Sequence, residues 1–253
     1  MKAMIFAAGL GTRLKPLTDT LPKALVQVGG KPLIEHVVRK LKSSGIDEAV
    51  VNVHHLADKV ESWVKEQDIM DIKVSDERKA LLETGGAVLH ARPHLEGCGR
   101  FLIHNVDILS DVDIKAFAAQ VRPDALATLL VSERESSRYL LFDPDTMRLL
   151  GWKNENTGEL RPTGGGLDES KCLKLAFSGI HIMSDHVLDV MERYAVEKGL
   201  YAVSDTPRFP VIDFYLEVCQ LYDIYGVKAE RLSLIDVGKL DTLEKAEIFL
   251  KQY

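Results

Sequence analysis

A short apolar run that enters a glycine-bearing turn constrains this chain more than anything after it. Met4-Ile5-Phe6-Ala7-Ala8 leads into Gly9-Leu10-Gly11-Thr12-Arg13-Leu14-Lys15-Pro16-Leu17-Thr18, and Pro22-Lys23-Ala24-Leu25 follows. A run that is apolar at every position reads as a strand buried on both faces, which needs helices above and below it. Glycines carry no Cβ, so backbone N–H groups there can come close to a phosphate. Arg13 and Lys23 add positive charge beside those groups. The stretch reads as a grip for a nucleoside triphosphate. It is not a Walker loop, because the Gly-x-x-x-x-Gly-Lys-Ser/Thr spacing is absent, nor a Gly-x-Gly-x-x-Gly turn, because Leu14 holds the last position.

Strand and helix then alternate. Ala3 to Ala8, Ala49 to Val53, Ile72 to Ser75, Phe101 to His104 and Ala125 to Val131 read as strands. Leu33, Ile34, Val37, Val38 and Leu41 recur at helical spacing, in a helix opened by Lys31-Pro32. Leu56 to Glu66 and Ile114 to Gln120 are further helices. Leu81 to Ala87 reads as a turn leading into a helix. This order predicts an α/β fold: a Rossmann-like, doubly wound, mostly parallel sheet. Ligands in such sheets sit outside the carboxyl ends of the strands. Three loops follow such ends: Gly9 to Lys15, Glu83 to Gly86, and Asn105-Val106-Asp107. After Val131, Tyr139 to Phe142, Arg148 to Trp152 and Leu173 to Met183 read as antiparallel ribbons forming a small lid, with Gly164 to Gly166 as a hairpin tip. Two helices, two short strands and a closing helix over Thr242 to Lys251 complete the chain.

The net charge of −6 excludes the basic surface that nucleic acid or an anionic membrane would need. An acidic chain that binds a polyanion must gather positive charge locally or use a metal. Cys98, Cys172 and Cys219 are scattered and form no CxxC pair, which argues for reduced thiols in a cytoplasmic protein and against a zinc site. No apolar run reaches membrane-spanning length.

From Ala7 to Leu25, and on through Gly29-Gly30-Lys31-Pro32-Leu33-Ile34, the chain resembles the sugar-1-phosphate nucleotidylyltransferases. The similarity continues through Val51 to Ala57, Glu83-Thr84-Gly85-Gly86-Ala87 and Asn105-Val106-Asp107, and returns at Phe177-Ser178-Gly179-Ile180 and Asp236-Val237-Gly238. Among its branches, the N-acetylmuramate-1-phosphate uridylyltransferases and the short mannose-1-phosphate guanylyltransferases are most similar. The resemblance implies one nucleotidyltransferase domain over 1–253, with a nucleotide-binding half (1–131) and a sugar-binding half (132–253). It implies transfer of a nucleoside monophosphate from an NTP to a sugar 1-phosphate, with release of pyrophosphate and with Mg²⁺ as cofactor. The chain is expected as a monomer or homodimer.

The resemblance also implies roles. Gly11 and Thr12 would contact phosphates through their backbones, Arg13 would hold the departing pyrophosphate, and Lys23 would bridge the α-phosphate and the sugar phosphate. Ala8, Gly9, Gly85 and Gly86 would let a flat base lie against backbone. Glu83 would orient the base or ribose, with Asn52 and Asn105 beside it. Lys153, Phe177, Ser178 and Gly179 belong to the sugar side. Asp107 and Asp236 are the metal candidates, because carboxylates at the ends of apolar strands are unwelcome unless paired or coordinated. His54 and His55 read as turn residues, and Asp111 and Asp113 as caps of the next helix. The chain departs from the family at Val106, where glycine or serine is usual. That departure favours one rival reading, a nucleotide-sugar-binding regulatory protein without turnover. A second rival, a metal-dependent glycosyltransferase built on Asp111-Val112-Asp113, lacks support from the opening loop.

Overall fold

The computed structural model describes residues 1–202 and 205–252. Its first strand, β1 (Lys2–Phe6), lies inside the main sheet. Successive strand residues point to opposite faces. Ala3 and Ile5 therefore join one apolar cluster and Met4 the other. Both faces are covered, which is why Ala3 to Phe6 contains no polar residue.

After β1 come a short helix, α1 (Leu17–Thr20), and a small hairpin of β2 (Gln27–Val28) and β3 (Lys31–Pro32). The sequence puts Pro32 in the first turn of a helix. It sits one step earlier, as the N-cap of α2 (Leu33–Ser43), with extended backbone at ψ 148°. The pattern Leu33, Ile34, Val37, Val38, Leu41 is the buried stripe of α2. Alternation continues through β4 (Glu48–Val53), α3 (Ala57–Glu66), β5 (Asp71–Asp76), α4 (Glu83–His90), α5 (Arg92–Leu95), β6 (Arg100–Asn105), β7 (Ile108–Ser110) and α6 (Ile114–Ala119). Asp113 caps α6 by accepting a bond from the Ala116 N–H at 3.0 Å, as expected. Asp111 instead accepts from the Ser233 N–H at 2.9 Å. It has been drawn away from the helix by a partner 122 residues distant.

The second half contains β8 (Ala127–Ser132), β9 (Arg138–Phe142), β10 (Leu149–Asn154), β11 (Leu160–Pro162), β12 (Leu173–Ser184), α7 (Val187–Glu197), α8 (Val211–Val218), β13 (Ile224–Lys228), β14 (Leu234–Asp236) and α9 (Asp241–Leu250). Ten strands share one sheet. In the main layer β5, β4, β1 and β6 are mutually parallel, as are β8 and β13. β12 runs antiparallel between these two groups, against β6 on one side and β8 on the other. The main layer is therefore mostly parallel, with one reversed strand between its two groups. The first residues of β12, Leu173 to Leu175, pair with β9, so the antiparallel ribbon β9–β10–β11 grows from the same strand.

One face is covered by α2, α3, α6 and α9, the other by α4, α5, α7 and α8. Each large aliphatic side chain fully buried there contributes about 1.5–3 kcal/mol.

Two expectations are corrected. Gly164 to Gly166 form a bend between β11 and β12; these strands pair with β10 and β9 rather than with each other, so the glycines are no hairpin tip. Glu83 to Gly86 are the first turn of α4, not a loop. Glycine is tolerated in that turn because a neighbouring segment packs directly on it, as described below.

Candidate active site

A cavity of about 600 Å³ opens at the carboxyl ends of β1, β4 and β6, within the usual range for small-molecule sites. The three loops expected on one rim all reach it. Ala8, Gly9, Gly11, Thr12, Arg13, Lys23, Asn52, Glu83, Asn105 and Asp107 line it.

The opening loop is shaped around Gly11, whose φ of 62° is costly for any residue with a Cβ. A Cβ there would also stand 2.8 Å from Thr18 Cγ2 and 3.3 Å from Lys23 Cβ. The Thr18 hydroxyl donates to the Gly11 carbonyl at 2.8 Å and closes the turn. Lys23, only 9% exposed, follows Pro22 at the start of a single helical turn. Its ammonium forms an ion pair with Asp107, which lies just past the end of β6.

Asp236 ends β14, whose register sets it opposite Ile108, next to Asp107. The Val237 N–H donates to the Asp107 carbonyl at 2.8 Å and fixes the two strand ends together. Gly238 gives room for two opposite charges. A Cβ there would lie 2.7 Å from an Asp236 carboxylate oxygen and 2.9 Å from an Arg13 guanidinium nitrogen. Asp236 is exposed and lies outside the cavity lining, at its edge, where its carboxylate and the Arg13 guanidinium flank Gly238. Desolvation by the surrounding protein, and then the Asp107 carboxylate, push its pKa up, against the pull of Lys23, Arg13 and Arg134. Two carboxylates held side by side at a cost are a fitting pair of ligands for a divalent cation. Among the described residues no cluster of three or more metal-ligating side chains exists. Phosphate oxygens and water would therefore complete the shell, as Mg²⁺ commonly arranges.

Val106 has ordinary backbone and is buried in the core beneath the cavity, with its N–H on the Phe6 carbonyl at 3.1 Å. The β-branched side chain causes no left-handed strain there.

Asn52 is committed to the fold. Its Oδ1 accepts from the Ala7 N–H at 2.8 Å and its Nδ2 donates to Glu77 Oε1 at 2.8 Å. Glu77, which sequence reasoning missed, lines the cavity while only 2% exposed. Burial raises its pKa against the bonds from Asn52 and the Leu82 N–H. Its signal was slight: a lone carboxylate just beyond a strand that reads as ending at Ser75. His54 Nδ1 bonds the Glu77 carbonyl at 2.7 Å, a structural role consistent with a turn residue.

Other expected residues lie elsewhere. Gly85 and Gly86 are not in the cavity lining. Their N–H groups donate to the Phe209 carbonyl at 2.8 and 3.2 Å, and a Cβ on Gly86 would stand 2.3 Å from the Pro207 carbonyl oxygen. These glycines admit a neighbouring segment of chain rather than a base. Glu83 sits at the rim, with Oε1 accepting from Arg208 at 2.9 and 3.1 Å. Lys153 lies outside the lining, with its ammonium 2.7 Å from Glu169, whose hydrogen bond raises the lysine pKa. Phe177, Ser178 and Gly179 form a bulge in β12, where the register against β8 shifts. The Ser178 hydroxyl locks it by donating to the Leu130 carbonyl at 2.7 Å. Gly179, at φ 75°, faces Asn105: a Cβ there would meet its amide nitrogen at 2.7 Å.

The family described as nucleotidyl transferase matches residues 2–145. The N-acetylmuramate alpha-1-phosphate uridylyltransferase of Caulobacter vibrioides is 37% identical over 193 residues, covering 73% of this chain and 76% of that protein. The enzyme of the same name from Neisseria meningitidis serogroup B is 42% identical over 118 residues, 46% of this chain and 51% of that one. Among solved structures, the CTP:phosphocholine cytidylyltransferase of Streptococcus pneumoniae superposes with a TM-score of 0.71 over 98% of each chain, at 22% identity. That likeness speaks for the fold alone. No helix among the described residues is long and apolar enough to cross a membrane.

Proposed function

The chain belongs to the nucleotidyl transferase family, and on that premise we propose that it transfers a nucleoside monophosphate from an NTP to a sugar 1-phosphate, giving an NDP-sugar and pyrophosphate. Enzymes of this family generally use a divalent metal, which is Mg²⁺ in this reading. UTP with N-acetylmuramate 1-phosphate is the favoured pair, since the Caulobacter relative spans nearly three quarters of the chain. GTP with mannose 1-phosphate is the second. The cytoplasm is the compartment this reading proposes, as an NTP substrate suits it.

In the reaction an oxygen of the acceptor phosphate bonds to the α-phosphorus. The bond from that phosphorus to the oxygen bridging towards the β-phosphorus breaks, and pyrophosphate leaves with the electron pair. The acceptor is already an oxyanion, so the protein supplies positioning and charge neutralisation rather than a nucleophile. A divalent cation held by Asp107 and Asp236 would offset charge on the triphosphate. Gly11 and Thr12 offer backbone N–H groups to the phosphates, Arg13 takes the leaving pyrophosphate, and Lys23 lies between the α-phosphate and the incoming one. Ala8, Gly9, Asn52, Glu83 and Asn105 surround the nucleoside, and the Phe177–Gly179 bulge walls the acceptor.

The observation that carries this reading is the Lys23–Asp107 ion pair with Arg13 and Asp236 beside it. Cation and carboxylate neutralise each other in this structure; in the reaction Lys23 would turn to the triphosphate and Asp107 would help to hold the metal. The test is pyrophosphate release from purified protein given each NTP, Mg²⁺ and a panel of sugar 1-phosphates. Release with one pair well above the others is expected. No release with any pair overturns the proposal.

A further inference from the structure

Near the Phe177–Gly179 bulge lies a cation that has no ion pair among the described residues. Lys153, the lysine expected on the sugar side, is held by Glu169 at 2.7 Å and Glu155 at 3.7 Å. Arg134 is different. It lies just beyond β8 and donates from Nη2 to the Phe177 carbonyl at 2.7 Å, on the bulge that walls the acceptor. Among the described residues it forms no ion pair, and its Nε–H is shut from water with no acceptor. The guanidinium's one hydrogen bond among the described residues is the one from Nη2. It lines a small cavity of about 170 Å³ together with Glu133, Lys228, Glu230 and Leu232, the last on the segment that runs into β14. Burial works against the charged form of Arg134, and the charge of Asp236 favours it.

A half-buried guanidinium without a partner is costly in any fold. It is retained where an anion arrives to complete it, and the planar fork of arginine suits a phosphate or a carboxylate. Arg134 lies outside the lining of the cavity of about 600 Å³, but it is bonded to the Phe177 carbonyl and its charge acts on Asp236, which puts it between the bulge and the proposed metal aspartate. We propose that Arg134 binds an oxyanion of the acceptor, so that Arg134 rather than Lys153 reads the acceptor's charge. This rests on the transfer reaction proposed above. The oxyanion is either the phosphate shared by all sugar 1-phosphates or a carboxylate borne by the sugar itself.

The test compares wild type with Arg134→Met and Arg134→Lys, using N-acetylglucosamine 1-phosphate and N-acetylmuramate 1-phosphate, which differ by a lactyl carboxylate. The expected result for Arg134→Met is a rise in acceptor KM of roughly ten- to hundredfold, with the KM for NTP unchanged. Arg134→Lys should recover part of the loss. An equal loss on both acceptors assigns the phosphate, and a loss confined to the muramate assigns the carboxylate. An unchanged acceptor KM, or equal rises for NTP and acceptor, overturns the proposal. Calorimetric binding of each acceptor to wild type and Arg134→Met is measured in parallel. If wild type releases no pyrophosphate, the transfer reading fails, and Arg134 is still judged by whether its loss weakens acceptor binding. Equal thermal midpoints for the two proteins confirm that folding is intact; if Arg134→Met unfolds, Arg134→Lys carries the comparison, since a point charge without the fork should weaken acceptor binding and leave NTP binding as it was.

Discussion

The ammonium of Lys23 rests on the carboxylate of Asp107, although 84 residues separate them in the chain. This contact joins the opening loop to the end of β6 and leaves a cation beside the space where a triphosphate would lie. Replacing Lys23 with alanine should lower kcat by about a hundred- to thousandfold, the usual loss for a positioned charge in a transition state. Circular dichroism should show an intact fold. Wild-type rates in Lys23→Ala would sink the assigned role.

Asp236 shares its surroundings with a second carboxylate. Asp236→Asn removes one of the two oxyanions offered to a divalent ion. The Mg²⁺ concentration giving half-maximal rate should rise by roughly tenfold or more, and EDTA should abolish turnover in wild type. An unaltered Mg²⁺ titration curve would remove Asp236 from the metal site.

Gly86 separates two readings of the Glu83–Gly86 turn. Alanine gains up to about 1 kcal/mol of helix propensity. Its Cβ, however, would stand 2.3 Å from the Pro207 carbonyl, a backbone atom that cannot rotate away. Overpacking of this kind costs about 1–3 kcal/mol. Gly86→Ala should therefore lower the urea midpoint and leave the KM for NTP unchanged. A raised KM with full stability would restore these glycines to the nucleotide.

His181 is 1% exposed, bonded through Nδ1 to the Tyr215 hydroxyl at 2.6 Å, and burial depresses its pKa to about 3. The unfolded chain binds a proton near pH 6.5, and the folded chain does not until about pH 3. Stability from keeping this ring neutral is thus full above pH 6.5 and falls as pH drops through that window. Between pH 7 and pH 5 the loss is about 2 kcal/mol for this group. Urea unfolding of His181→Gln at the two pH values should show a loss smaller than that of wild type by about this amount. An identical pH dependence would refute the assignment.

Much of the fold was legible because its signals are local. The buried run at β1, the helical spacing of Leu33 to Leu41 and the strand ends before Gly9 and Asn105 each declare themselves within a dozen residues. What the sequence concealed depends on partners far along the chain. The reversal of β12 is decided by its neighbours β6 and β8, not by its own composition. Gly85 and Gly86 look like ligand-facing glycines until Phe209 is seen against them. Asn52 looked free to meet a nucleoside, and Glu77 gave almost no sign, because their mutual bond lies across two strands. Arg134 and Lys153 are both cations near strand ends, and only the packing shows which has a carboxylate at hand.

β12 is one unbroken strand of twelve residues that pairs with the ribbon at its start and with the main sheet along the rest. Between those stretches lies the Phe177–Gly179 bulge, where the ladder to β8 loses its register. The ribbon is fastened to the core elsewhere as well, by the Arg161–Asp213 pair at 2.7 Å and the Arg148–Asp223 pair at 2.8 Å. At Gly179 the bulge abuts the side chain of Asn105, so the point where β12 loses its register against β8 also touches the end of β6.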